Sequence, residues 1–393
     1  GAGGTYEHWR QNAAKSGSGE HRAFVGTPDD TALQLYTSGT TGNPKGVLLT
    51  NENWKASTAA HRTMLEMDEH TVQLIALPLF HIGGLILALT SLLAGSVTIL
   101  ASNGDPRLMV KMIREERVSH LPTVPTLLAS LLEEAESEPA SLRSLRAICY
   151  GSAPMPEGLL QRAMSMLRAD LLSGYGMTET TATVTFLQFH DHQAANRPDA
   201  TAAERQRLKS AGRVGPGAEI MIVDPQTFDE VPPGCHGEVL VRGTQVMAGY
   251  WDRHHGNADV VSPQGWIRTG DGGYIDEDGY LFLTDRIKDM IITGGENVYP
   301  AEIEAVVADM PGIVEAAVIG VPDDRWGETP KLFAVRTPGA VVTEMAIMNK
   351  CRNALAHFKC PSAVQWVDEL PRNASGKVLK HILRQQSRDS DKN

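Results

Sequence analysis

Cysteine is scarce: Cys149, Cys235, Cys351 and Cys360 are the only four in 393 residues, and no two stand as CxxC or beside a histidine cluster. Such spacing leaves no expectation of a disulfide framework or a structural zinc site, and it fits a reducing, cytoplasmic setting. Positive charge is short as well. Lys and Arg number 36 against 47 Asp and Glu, a formal net charge of -11. A nucleic-acid binder needs a basic face to meet phosphates, so no nucleic-acid partner is expected. Any anion must be held locally, by backbone amides and a few cations. No internal repeat, low-complexity tract or signal-peptide pattern is found. The chain opens Gly-Ala-Gly-Gly without methionine, which reads as a processed or engineered start.

One absence invites a wrong reading. No Asp, Glu, Lys or Arg occurs between Thr71 and Gly104, a length that could span a membrane. Pro78, His81, Gly83, Gly84 and Gly95 interrupt that run. They divide it into a strand at 73–79, a loop at 80–84, a helix at 85–94 and a buried strand at Val97–Leu100. Continuously apolar strands are what a parallel sheet covered on both faces requires. Buried core is therefore expected, and no membrane span.

At this length two or more domains are expected. Residues 1–30 are polar and unpatterned. From Thr31 strands and helices alternate as in α/β folds, with Asn51 placed to cap the first helix. After about residue 212 short strands with tight turns take over, as at 218–223, 237–242 and the pair 273–276 and 280–283 around Glu277-Asp278-Gly279. Beyond Lys288 a compact α+β unit begins. Its first helix starts at Pro300 and stops at Pro311-Gly312; strands at 314–320 and 331–337 and helices at 345–357 and after Gly376 follow. The fold class is α/β. A large N-terminal domain, 31–287, combines a parallel α/β sheet with a β-rich part at about 212–287, and a smaller α+β domain spans 288–393.

The segment Thr37-Ser38-Gly39-Thr40-Thr41-Gly42-Asn43-Pro44-Lys45-Gly46 is the clearest chemical signal. Small residues let backbone approach an anion, amides and hydroxyls donate to phosphate oxygens, and Lys45 adds a positive charge. It is not a Walker A loop, which needs Gly directly before the Lys and Ser or Thr after it. Alone, it could equally be a flexible surface turn. A second segment, Gly174-Tyr175-Gly176-Met177-Thr178-Glu179-Thr180, offers a ring to stack on a purine, a hydroxyl for phosphate and a carboxylate for a hard cation. Trp266-Ile267-Arg268-Thr269-Gly270-Asp271 ends in an acid suited to vicinal ribose hydroxyls. Asp285-Arg286-Ile287-Lys288-Asp289 is a charged run that also reads as a solvated linker.

Together with Pro371-Arg372-Asn373-Ala374-Ser375-Gly376-Lys377, these segments resemble, in order, the adenylate-forming superfamily of acyl- and aryl-CoA synthetases, luciferases and peptide-synthetase adenylation domains. The resemblance runs over about residues 31–383. The stretch from Met290 to Glu304 looks most like the fatty-acid and related CoA ligases. It implies an enzyme that takes a fatty or aryl carboxylic acid with ATP and Mg2+, forms acyl-AMP and pyrophosphate, and passes the acyl group to coenzyme A. The C-terminal domain would be a mobile lid.

Carried over by position, the resemblance implies a phosphate loop in which Thr37, Ser38, Gly39, Thr40, Thr41, Gly42 and Lys45 meet the nucleotide. Gly151, Ser152, Ala153, Pro154, Tyr175 and Gly176 would line the adenine pocket. Thr178 would contact phosphate, Glu179 hold magnesium, and Asp271 and Arg286 hold the ribose. Lys377 would reach the carboxylate and α-phosphate, Lys288 would be the hinge, and Gly294 and Gly295 would face the thiol of CoA. The acyl pocket would draw on His81, Val124, Gly174 and Thr180, with Gly151 beside them. His81 reads either as a backbone-bonded loop histidine or as an aromatic gate. His190, His192, His254 and His255 read as surface residues, and no metal is assigned to them.

The chemistry suits this inventory. A carboxylate is already nucleophilic at neutral pH, so the barrier lies in bringing two anions together and stabilising charge on the α-phosphate. Departures are also visible. The phosphate loop follows only 36 residues, where the family carries a large preceding segment. A truncated form, proteolysis, or a natural short form that needs another chain would each account for that. Ser152, Gly272 and Asp285 are smaller departures. No acid near the acyl pocket awaits an amino-acid ammonium, and no carrier domain is appended, so free CoA is preferred as acceptor. The rivals are an acyl-AMP ligase loading a carrier protein, an oxidative relative of luciferase, and an inactive nucleotide-binding scaffold. Oligomeric state leaves no mark on the sequence.

Overall fold

The computed structural model describes residues 26–37, 44–153, 155–251, 260–308, 310–372 and 378–390, with backbone alone at Lys288, Asp389 and Ser390. Strands β1 (Thr31–Thr37) and β2 (Lys45–Thr50) form an antiparallel hairpin that sets Thr37 opposite Lys45. Helix α1 (Asn51–Met64) follows. Its cap is Thr50 rather than the expected Asn51. The Thr50 hydroxyl accepts from the Asn53 amide while the Asn53 side chain returns to the Thr50 amide, so two orphan donors are satisfied reciprocally.

Next come β3 (Val72–Ile75), α2 (Ile82–Leu93), β4 (Val97–Leu100), α3 (Pro106–Glu115), β5 (His120–Thr123), α4 (Pro125–Glu134), β6 (Ala147–Gly151), α5 (Glu157–Met166), β7 (Asp170–Met177) and β8 (Ala182–Leu187). Helices α6 (Phe189–Ala195) and α7 (Ala202–Arg207) lead to β9 (Arg213–Val214). One seven-stranded sheet runs β4-β3-β5-β6-β7-β8-β9, parallel from β4 to β7 and antiparallel beyond. Leu74, Met109, Ile113, Leu121, Leu128, Ile148, Leu160 and Leu171 pack α3, α4 and α5 onto one face of it.

The strand at Val97–Leu100 forms as expected but is not buried. It is the sheet's outer strand, and Val97 and Leu100 are 54% and 56% exposed beside Leu92 and Leu93 at 68% and 65%. β4 has a neighbouring strand on one flank only, and these side chains are left to solvent.

Strands β10 (Ala218–Val223), β11 (Gly237–Gly243), β13 (Ile267–Ile275) and β14 (Leu281–Arg286) make a four-stranded antiparallel sheet, while the short β12 (Gly249–Tyr250) joins β2 instead. Val47, Ile86, Leu172, Phe186, Val239, Val241 and Ile267 share one core, which fuses the hairpin, the large sheet and this smaller sheet. The last sheet holds β15 (Ile291–Thr293), β16 (Glu296–Val298), β17 (Ile313–Asp323), β18 (Gly327–Arg336) and β19 (Ala363–Trp366). Helices α8 (Pro300–Ala308), α9 (Glu344–Ala354) and α10 (Lys380–Ser390) belong to the same part of the chain. Its core is separate, built on Ile291, Val298, Ile303, Val318, Leu332 and Ile347. The fold is thus α/β, with a large N-terminal domain and a smaller C-terminal one. No helix among the described residues is long and apolar enough to cross a membrane.

Candidate active site

Gly151 and Gly174 face each other in the last pair of the β6–β7 ladder, at the carboxyl end of β6, the edge where crevices form in such sheets. The pairing is tight: a β-carbon on Gly151 would meet the Gly174 carbonyl at 2.9 Å. Ser152 then turns the chain with φ +66, and Ser152 and Ala153 are exposed. Tyr175 follows on β7. Its hydroxyl donates to Oδ2 of Asp271 at 2.7 Å, and Oδ1 of Asp271 lies 3.1 Å from Nε of Arg286. Asp271 and Arg286 are cross-strand partners on β13 and β14, so sheet register sets their pairing. Burial, then the Asp271 carboxylate, push the Tyr175 phenol well above its ordinary value, so it stays protonated and donates.

Four residues beyond Tyr175, Glu179 sits in a short 3-10 turn, Thr178–Thr180. The turn is strongly determined. Thr180 is wholly buried, and its hydroxyl accepts from the Met177 amide and donates to the Ala182 carbonyl. Thr181 and Ala182 hold φ of +49 and +80, a region costly for residues with a β-carbon. The Thr181 hydroxyl donates to the Gln245 carbonyl, and Ser57 Oγ donates to the Thr181 carbonyl. Gly176 admits no side chain: a β-carbon there would lie 1.7 Å from the Ala182 carbonyl oxygen.

The Glu179 carboxylate is 5% exposed and accepts from the hydroxyls of Tyr250 at 2.9 Å and Thr37 at 3.4 Å. Both described partners are neutral oxygens. A buried carboxylate in an oxygen-rich setting fits Mg2+, which takes one or two carboxylates and completes its shell with phosphate oxygens and water. Among the described residues no cluster of three or more His, Cys, Asp and Glu could hold a metal by itself. Lys45, the first residue of β2, lies with Nζ 4.9 Å from the Tyr250 ring centroid.

Other expected residues fall as follows. His81 caps α2, with Nδ1 accepting from the Gly83 amide at 3.1 Å, and burial lowers its pKa. Val124 stands at the start of α4, half-buried. Gly294 and Gly295 turn the chain between β15 and β16 with φ of +60 and +88, and Trp326 packs over Gly294. The Lys288 backbone lies in the 3-10 turn Ile287–Asp289. Ser38, Gly39, Thr40, Thr41, Gly42, Pro154 and Lys377 lie outside the described residues, as do His254 and His255. His190 is exposed as expected, but His192 is not a surface residue: it is 3% exposed, with Nε2 2.8 Å from the Tyr150 hydroxyl.

Two arrangements carried no local sequence signal. Tyr250 is one. The other is Lys380, whose ammonium lies 2.9 Å from Glu304 and 3.5 Å from Asp285, while Arg384 meets Asp289 at 2.7 Å. Burial alone would lower the Lys380 pKa, but Glu304 and Asp285 outweigh it and hold it above the usual value.

The pattern of the AMP-binding enzyme family matches residues 4–251, and that of the AMP-binding enzyme C-terminal domain matches 302–377. The chain belongs to the AMP-binding enzymes. Among curated relatives of this AMP-binding enzyme is the fatty acid–[acyl-carrier-protein] ligase ScoC of Streptomyces coeruleorubidus, 38% identical over 91% of this chain and 68% of its own length. Another is the 2-succinylbenzoate–CoA ligase of Bacillus licheniformis, 39% identical over 90% of this chain and 70% of its own. Among solved structures, ATP-bound MatB from Rhodopseudomonas palustris superposes with a TM-score of 0.86 at 33% identity, over 96% of this chain and 72% of that one.

Proposed function

We propose that this AMP-binding enzyme is an ATP-dependent acid–thiol ligase, converting a fatty or aryl carboxylic acid to acyl-AMP and pyrophosphate, then to acyl-CoA and AMP. One observation carries the reading. Tyr175, bonded to Asp271, and Glu179, buried among hydroxyls, are four residues apart on one strand and turn. That separation suits a nucleoside at one end and its phosphates at the other.

In this reading Asp271, steadied by Tyr175 and Arg286, accepts from the ribose hydroxyls, and the edge at Gly151–Ala153 admits the adenine. Thr178 and Lys45 face the phosphates, and Glu179 holds Mg2+, which supplies charge neutralisation at the phosphate oxygens. Lys377 brings a second cation to the α-phosphate. The acid enters between His81, Val124, Gly174 and Thr180. With a neutral imidazole, His81 lines the path without pairing to the carboxylate. Residues 288–393 then turn about Lys288, withdrawing Lys377 and presenting Gly294 and Gly295 to the thiol. All four cysteines are free thiols, which favours a reducing cytoplasm.

A carrier-protein thiol is the second reading, favoured by the ScoC relative. The deciding measurement is pyrophosphate and AMP release from ATP with a panel of fatty and aryl acids, with CoA, with a carrier protein, or with neither. Acid- and CoA-dependent AMP release is the expected result. Carrier-dependent release alone supports the second reading, and nucleotide binding without turnover would overturn both.

A further inference from the structure

We propose that Tyr250 is a positioning residue for Glu179, fixing which carboxylate oxygen faces the metal and tying that carboxylate to the hairpin that carries the phosphate loop. The inference rests on the reading of Glu179 as the magnesium carboxylate.

Residues Met247 to Tyr250 grip Glu179 at two points. The Met247 amide donates to the Glu179 backbone carbonyl at 2.9 Å, and the Tyr250 hydroxyl donates to Oε1, also at 2.9 Å. A glutamate held at its backbone carbonyl and, through Tyr250 and Thr37, at Oε1 has little freedom to rotate, and Oε2 becomes the oxygen presented to a cation. The grip is itself anchored. Tyr250 pairs with Val47 on β2, and amides of Ala248 and Trp251 donate to carbonyls of Leu48 and Gly46. Strand β2 begins at Lys45, whose ammonium lies over the Tyr250 ring. One side chain therefore touches the metal-binding carboxylate with its hydroxyl and the loop's lysine with its ring. The tyrosine itself is buried, only 7% exposed. Groups that orient a metal's ligand commonly change metal affinity about 10- to 100-fold when removed.

The test is Tyr250→Phe, which keeps the ring under Lys45 and removes only the hydroxyl. Mn2+ binding is read by electron paramagnetic resonance in the presence of a non-hydrolysable ATP analogue, alongside rates of the two half-reactions. Metal-free AMP binding checks the fold. The expected result is Mn2+ affinity and adenylation each weaker by about tenfold, with AMP binding and thiolysis of supplied acyl-AMP unchanged. Unaltered Mn2+ affinity overturns the proposal, as does an equal fall in both half-reactions. Glu179→Gln separates the two levels. If it weakens Mn2+ binding and Tyr250→Phe does not, only the role of Tyr250 is lost. If neither does, Glu179 is not the metal ligand and both readings fall.

Discussion

His61 is a buried side chain on α1 beside Ser57, whose hydroxyl bonds the turn beneath the site. It is 1% exposed, its Nδ1 lies 2.7 Å from the Ser57 carbonyl, and its ring meets Phe186 edge-on at 5.6 Å. Burial lowers its pKa to about 4. The unfolded chain, with an ordinary value near 6.5, binds a proton that the folded chain resists. This contribution to stability is therefore complete above pH 6.5 and is lost as pH falls from 6.5 towards 4, by on the order of 3 kcal/mol. Urea unfolding across that window should show a shallower pH dependence in His61→Gln than in the parent. An equal slope in the two would place the acid sensitivity elsewhere. Tyr175 and Asp271 were legible in the sequence because each stands in a short run with its own chemistry, whereas Arg286, in a run that passes for a linker, was legible only through the family resemblance. Tyr250 was not, since its meaning comes from the register of β12 on β2, about 200 residues upstream. His192 was misread for a simpler reason: it lies two residues from the exposed His190, and positions two apart on a helix do not share a face.

Helix α10 concentrates what the charged run at 285–289 left ambiguous. Read locally, that run passes for a solvated linker. In the fold, Asp285 and Asp289 turn inward to Lys380 and Arg384, partners about 95 residues away that no local pattern could supply. Asp285 also accepts from the Ala301 amide, at the start of α8. The pair Asp285–Lys380 crosses the proposed hinge at Lys288, and Lys380 lies three residues beyond Lys377. Removing the ammonium leaves two half-buried carboxylates, Asp285 and Glu304, without their cation, and stranding partly exposed charged groups of this kind costs about 1–3 kcal/mol. Lys380→Met is expected to lose stability on that scale in urea and to alter the ratio of adenylation to thioesterification rates. A change in neither would reduce the network to surface decoration. Boundaries were less legible than elements. Helix α2 starts three residues before its expected position because His81 can cap it, and β3 ends at Ile75, short of Pro78.

The layout of the whole molecule followed from texture: apolar runs gave the parallel sheet, short strands with turns gave the antiparallel one, and the change near Lys288 preceded a separate core. What texture could not supply was strand order. The charge-free stretch from Thr71 to Gly104 was legible as core, but β4 stands at the rim of the sheet, and two of its aliphatic side chains, with two from the end of α2, face solvent. Charged residues commonly guard such edges, and none is present here. Strand order also places Asp271 and Arg286 on the small sheet and Tyr175 on the large one. The proposed ribose site is therefore a seam as well as a pocket, and a nucleotide seated there acts as a rivet. Ligand at 100 times its dissociation constant adds about 2.7 kcal/mol to whatever must be folded to bind it. AMP should thus raise the melting midpoint of both sheets in one transition, and Asp271→Ala should abolish the shift. A molecule whose small sheet had come undocked would be thermally blind to AMP, which makes the size of that shift a gauge of how much of a preparation is correctly assembled.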